Sequence, residues 1–135
     1  MNVKEFMTTR IEKIDSNRTV YDAIEKMVDR RIRSLVVRFE KETDPFGVIT
    51  ARDIVYKVLS EGKNPMGIKV AEIASRPVTC VDVNTGFDEV AQIMKNSHFA
   101  RIFVCQEGRI IGVVSLLDVM SASLILRARG SYVSG

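Results

Sequence analysis

Side chains that build metal centres and nucleophile sites are scarce in this chain of 135 residues. There is one histidine, His98, and two cysteines, Cys80 and Cys105, which stand far apart with no CxxC spacing. That is too few ligands for a Cys/His metal centre. Each cysteine sits in an apolar, strand-like run, the setting of a buried reduced thiol. His98 falls at the end of a helix-like stretch, and spacing gives it no serine, cysteine or carboxylate partner. No catalytic set emerges, and the chain reads as a non-enzyme. Long apolar runs are missing too. Residues 110–117 form one of the longest, broken by Gly112 and Ser115 and far short of a membrane span. Met1-Asn2-Val3-Lys4-Glu5 lacks the apolar stretch of a signal peptide, so the expected location is the cytoplasm. Charge of one sign is also lacking: 20 Lys+Arg against 17 Asp+Glu leave +3, well interspersed. A nucleic-acid surface would rest on Arg30, Arg31, Arg33, Arg127 and Arg129 alone, and is a minor alternative.

What is present is a dense supply of Val, Ile and Leu, with 46% hydrophobic residues overall, which excludes disorder as the main state. A chain of this length suits one compact domain, or two very small units sharing a core. Folding hides roughly two-thirds of the surface the unfolded chain exposes, so disulfides are not required.

The strongest internal signal is a duplication. Offsetting the chain by 67 residues lays residues 3–37 on 70–104 without a gap. Val3 meets Val70, Glu5 meets Glu72, Asp15 meets Asp82, Asn17 meets Asn84, Met27 meets Met94 and Val37 meets Val104. Shortening the second copy by two residues then brings 47–54 onto 112–119. Each copy reads β-α-β-β-α. Extended runs at 10–15 and 78–83 precede amphipathic helices, with Val20, Ala23, Ile24, Met27 and Val28 on one stripe and Phe87, Val90, Ala91 and Met94 on the other. Thr19 and Asp22 form a capping pattern at the first. Strand pairs are expected at 34–39 with 46–49 and at 101–105 with 109–114, the second joined by the turn Gln106-Glu107-Gly108. Final helices open at Thr50 and Ser115, the first stopping near Gly62. The expected organisation is repeat 1 over 1–61, a linker over 62–69, repeat 2 over 70–126 and a tail over 127–135. One copy alone is too small to bury its helices and sheet, so an α+β domain with the two copies packed sheet to sheet about a pseudo-two-fold axis is expected.

The repeat resembles the CBS domain, named for cystathionine β-synthase, in the tandem form called a Bateman module. The residues that carry the likeness are Thr19-Val20-x-Asp22-Ala23 with Met27, residues 32–37 (Ile-Arg-Ser-Leu-Val-Val), and residues 47–54 (Gly-Val-Ile-Thr-Ala-Arg-Asp-Ile). In the second copy they are Phe87-Asp88-Glu89-Val90 with Met94, Arg101-Ile102-Phe103-Val104, and Gly112-Val113-Val114-Ser115-x-x-Asp118-Val119. The likeness spans about residues 3–121.

The resemblance implies an adenosine-containing ligand (AMP, ADP, ATP or S-adenosylmethionine) held in clefts between the repeats, and no other cofactor. The chemistry of Gly-x-x-Thr/Ser-x-x-Asp suits such a ligand. An aspartate in a helix's first turn offers two oxygens to the ribose hydroxyls, while the N-cap hydroxyl and free N–H groups face phosphate. On this reading Asp53 and Asp118 grip ribose and Thr50 and Ser115 face phosphate. Arg52 adds charge to one site where Leu117 stands in the other, so the Asp53 site is the better suited to a phosphorylated ligand. Arg33 and Arg101 are candidate phosphate ligands, and Ile32 and Phe99 candidate flanks of the purine. Sharing across the pair would set Asp53 with Thr79, Phe99 and Ala100, and Asp118 with Ile32 and Arg33. Ala100 departs from the histidine often found there in the family. Thr50-x-x-Asp53 and Ser115-x-x-Asp118 can also be read as helix capping boxes, though two at equivalent repeat positions favour a ligand; Ile32 and Phe99 read also as core, and Arg33 and Arg101 as solvated surface.

The function implied is a stand-alone regulatory or sensor module for adenine nucleotide, AMP-like ligands favoured, acting on an unknown effector protein. The likeness also implies a homodimer, for which the last helix, with Leu116, Leu117, Val119, Met120, Leu124 and Ile125, offers an apolar surface. The alternative is a ligand-free dimerisation or protein-interaction module.

Overall fold

The computed structural model describes residues 1–41, 46–76, 78, 80–97 and 101–130. The chain divides into two compact units, one spanning Glu12–Val78 and the other joining Met1–Ile11 to the described part of Thr79–Gly135.

The first unit is a three-stranded sheet with helices. Strand β1 (Lys13–Asp15) runs parallel to β2 (Ser34–Arg38), which pairs antiparallel with β3 (Gly47–Thr50). Helix α1 (Val20–Arg30) connects β1 to β2. Its start is fixed by the expected box: the Thr19 hydroxyl accepts the Asp22 N–H at 3.1 Å, and the Asp22 carboxylate accepts the Thr19 N–H at 3.1 Å. The hydrogen bond from the Thr19 backbone N–H holds the Asp22 carboxyl below its usual range. Arg31 ends the helix at φ 54°, in the left-handed region where glycine is the usual occupant. Val20, Ala23 and Met27 are buried as the stripe predicted, but Val28 is 72% exposed. It stands one residue, about 100° of helix rotation, beyond Met27. Helix α2 (Ala51–Ile54) follows β3 directly and widens into a π-type turn over Val55–Leu59, before Gly62 turns the chain at φ 68°. The core gathers Ile14, Leu35, Val37, Ile49, Ile54 and Val58 beneath α1.

The unit is completed from residues 62–78, which are more than a tether. Asn64 caps a short 3-10 turn over Pro65–Gly67 through the Met66 N–H at 3.0 Å. Val20 donates its N–H to the Ile68 carbonyl, and α3 (Val70–Ile73) buries Val70 completely in the core. Ser75 then exchanges both backbone hydrogen bonds with Val48, each 2.9 Å, along the free edge of β3.

The second unit repeats the plan. Strand β4 (Cys80–Asp82) lies parallel to β5 (Arg101–Gln106), which pairs antiparallel with β6 (Arg109–Ser115) through the expected tight turn. Helix α4 (Phe87–Ser97) buries Val90 and Met94, and α5 (Leu116–Ala128) follows β6. Here residues 1–11 do what 68–75 do in the first unit. Val3 is fully buried among Val81, Val90, Ile102, Val104 and Val114. Thr8 exchanges backbone hydrogen bonds with Val113 at 2.8 and 2.9 Å. Phe6 meets Phe87 edge to face. Val3 and Val70 are equivalent positions of the duplication, so each unit takes its last core residue from a segment that precedes the other copy's first strand.

One expectation is overturned. Cys80 and Cys105 are not reduced core thiols; they form a disulfide, with Cα atoms 5.6 Å apart. The parallel register sets Cys80 beside Phe103 and Asp82 beside Cys105. The two cysteines are therefore diagonal neighbours within disulfide reach. Strand alternation puts Val81, Ile102 and Val104 into the core and leaves both cysteines half-buried. An apolar run marked them as strand residues without showing that they share a face.

Candidate ligand site

In the first unit, pairing of β2 with β3 sets Ser34 against Thr50, and the Ala51 N–H reaches back to the Arg33 carbonyl at 2.9 Å. Ile32, Arg33, Thr50, Arg52 and Asp53 thereby converge at one end of the sheet. Ile32 is partly buried against the core, whereas Arg33 and Arg52 are exposed. Thr50 caps α2 with its hydroxyl accepting the Asp53 N–H at 3.1 Å, and Asp53 Oδ2 accepts the Thr50 N–H at 3.2 Å. The other carboxylate oxygen, Oδ1, is 3.4 Å from Lys57 Nζ. The i,i+4 spacing of Lys57 from Asp53 is the sequence signal for this contact. The Asp53 side chain remains 19% exposed, enough to present an edge outward.

The second unit builds the same corner. Arg101 pairs with Ser115. Ser115 Oγ accepts the Asp118 N–H at 3.2 Å, and Asp118 Oδ2 accepts the Ser115 N–H at 2.8 Å. Leu117, which replaces Arg52, is exposed, and Ala122, which replaces Lys57, is buried. Ala122 offers Asp118 no counterpart of the Lys57 contact, so the two corners differ in charge as well as in sequence. Thr79, Phe99, Ala100 and His98 lie outside the described residues.

The glycine of each motif has a packing role that sequence reasoning missed. A Cβ on Gly47 would stand 2.9 Å from the Ser75 carbonyl oxygen, and one on Gly112 would stand 3.2 Å from that of Thr8. These glycines admit the segments that complete each unit. Both polar boxes satisfy helix N-termini, so capping is a role the residues demonstrably fill. What capping does not use is the outward carboxylate oxygen and the neighbouring arginine. Those are acceptor and donor groups matched to vicinal hydroxyls and phosphate.

A groove of about 980 Å³ runs elsewhere, along α1, between Lys13, Asp15, Arg18, Asp22 and Val28. It is open to solvent, mixed in charge and lined by none of the candidate ligand residues. Polar groups converge at the strand ends instead, and we place the candidate site there. No group of metal-ligating side chains occurs among the described residues, and no described helix is long and apolar enough to cross a membrane.

The CBS-domain family model matches residues 3–60 and again 70–125. The chain belongs to the CBS-domain family. A hexameric CBS-CP12 protein from bloom-forming cyanobacteria is 31% identical, with a TM-score of 0.82 over 94% of this chain and 73% of that one. An uncharacterised protein of Methanopyrus kandleri is 34% identical over 111 residues, 82% of this chain and 56% of that one. The CBS chain thus spans little more than half the length of that relative, and 55% of another from Methanocaldococcus jannaschii. A structure of Hypoxic Response Protein I, determined with two coordinated zinc ions, is 25% identical, with a TM-score of 0.76 over 90% of this chain and 98% of that one. Two CBS repeats, each a three-stranded sheet with helices, make this a CBS pair, a module of regulatory type.

Proposed function

We propose that this CBS pair is a cytoplasmic regulatory module that binds an adenine nucleotide, AMP-like ligands favoured, and passes occupancy to a partner protein. The observation that carries the reading is the recurrence, in both units, of an aspartate at a helix start beside an arginine-bearing strand end. Ribose hydroxyls would donate to Asp53 or Asp118, and phosphate would face the N-cap hydroxyl and the arginines. A ligand bound more tightly by one conformation shifts the population toward it, which is the whole of the signal. With Arg52 and Lys57 beside it, the Asp53 corner suits the more highly phosphorylated ligand.

The test is calorimetry and thermal shift with AMP, ADP, ATP, S-adenosylmethionine and NAD. Asp53→Asn keeps an acceptor for the Thr50 N–H but loses the charge and the second acceptor oxygen. It should therefore melt near the parent temperature while losing ligand response at that site. Absence of any shift in the parent chain at millimolar ligand would sink the proposal.

A ligand-free self-association module is the second reading, and α5 favours it. Leu116, Leu117, Met120, Leu124 and Ile125 are all exposed on a helix with only Ala122 buried. The relative described as hexameric lends it support. Sedimentation of the parent chain with and without AMP separates the readings: association unaffected by nucleotide, with no binding heat, is the ligand-free outcome.

A further inference from the structure

We infer that Cys80 and Cys105 form a redox modification site, a reversible disulfide that staples β4 to β5 and is the substrate of a dithiol reductant. Three observations carry this. The register sets the two cysteines diagonally on neighbouring parallel strands with their Cα atoms 5.6 Å apart, so the bond closes without moving the backbone. Both residues are half-buried and lie on the opposite side of the strands from Val81, Ile102 and Val104. A small or protein thiol therefore has a route to the sulfurs that a core disulfide would deny. The equivalent positions of the first copy are Lys13 and Arg38. There the same strand pair is tied by an ion pair, Arg38 to Asp15 at 3.0 Å. The position of Cys105 thus carries a cross-strand tie in both units, to the Asp15 carboxylate in the first and to Cys80 in the second, and only the second is sensitive to oxidation state.

The chemistry balances with a vicinal dithiol of the thioredoxin class as reductant. Its thiolate attacks one sulfur, forms a mixed disulfide and expels the other sulfur as a thiolate, which takes a proton. The reductant's second thiol then displaces the remaining cysteine. The protein gains two electrons and two protons, and the reductant leaves as its own disulfide. Reduction reopens a ring with a sequence separation of 25 residues that contains α4 and most of β5. Unit two loses the chain restraint while its hydrogen-bonded register stays.

The full chain, equilibrated in air and alkylated without reductant, should carry no alkyl group. After a thioredoxin-class dithiol or dithiothreitol, without denaturant, it should carry two, and its melting temperature should fall by about 10 °C. Removal of reductant should restore both properties. The double variant Cys80→Ser with Cys105→Ser should melt at the reduced temperature under either condition. If that variant does not fold, the reductant titration of the parent chain still decides. Alkylation of both thiols in the air-equilibrated chain, reduction only after unfolding, or an unchanged melting temperature would each overturn the inference. None of these readouts involves nucleotide.

Discussion

Adding one methyl group at Gly47 tests how tightly the completing segment is held. An alanine Cβ there would lie 2.9 Å from the Ser75 carbonyl oxygen, 3.0 Å from Phe39 Cε2 and 3.4 Å from Arg76 Cβ. Phe39 cannot swing away freely, because the Arg76 guanidinium sits 4.0 Å from its ring centroid. Ser75 cannot retreat either without stretching its two 2.9 Å hydrogen bonds to Val48. Relief requires a backbone shift of several tenths of an ångström, and overpacking of this kind costs about 1–3 kcal/mol. Gly112→Ala is the internal comparison. Its nearest neighbour is nominally closer, Met7 Sδ at 2.5 Å, yet a methionine end can rotate away, leaving the Thr8 oxygen at 3.2 Å. Gly112→Ala should therefore cost about 1 kcal/mol or less. At about 3–5 °C per kcal/mol for a chain of this size, Gly47→Ala should melt some 3–15 °C below the parent and Gly112→Ala within about 5 °C of it, the former shift the larger. Thermal and urea melts followed by circular dichroism measure both. If Gly112→Ala is the more damaging, or Gly47→Ala is silent, the segment is not seated as argued.

Two further outcomes follow from helix α1. Arg31→Gly relieves a left-handed residue at the helix end and should raise stability by about 0.5–1 kcal/mol in urea melts, while Arg31→Val should lower it. The Asp22 carboxyl, depressed chiefly by the Thr19 N–H, stabilises the fold fully above its unfolded value of 3.8 and loses that contribution as pH falls through the folded value. Stability measured from neutral pH downward should therefore decline below about pH 4 in the parent and decline less in Asp22→Asn; an identical slope in both would discount the box.

The duplication, the strand pairs and the three capping boxes were legible because each is a local signal. Thr19 with Asp22, Thr50 with Asp53 and Ser115 with Asp118 are spaced by one helical turn, and the helix geometry does the rest. What escaped was set by pairings distant in the chain. Cys80 meets Cys105 only because of a parallel register, and Gly47 needs to be glycine only because Ser75 returns to its edge. Val28 has helical spacing from Ile24 but lies just past the buried arc that ends at Met27, a boundary set by packing and not by periodicity. For the candidate site, the two corners could be read from the sequence, whereas the Lys57 contact that distinguishes them came from the fold.

The burial of Val3 has a consequence for the order in which the molecule is made. Residues 12–78 form one unbroken stretch and carry everything their unit needs, so that unit can close while the ribosome is still synthesising the rest. The first eleven residues emerge before it but belong with strands made more than seventy residues later. They wait with an apolar side chain unhoused until β6 arrives, and that long-range closure is the slow step that topology imposes. A permuted chain, with residues 1–11 moved behind residue 130, would make both units contiguous in synthesis and remove the wait.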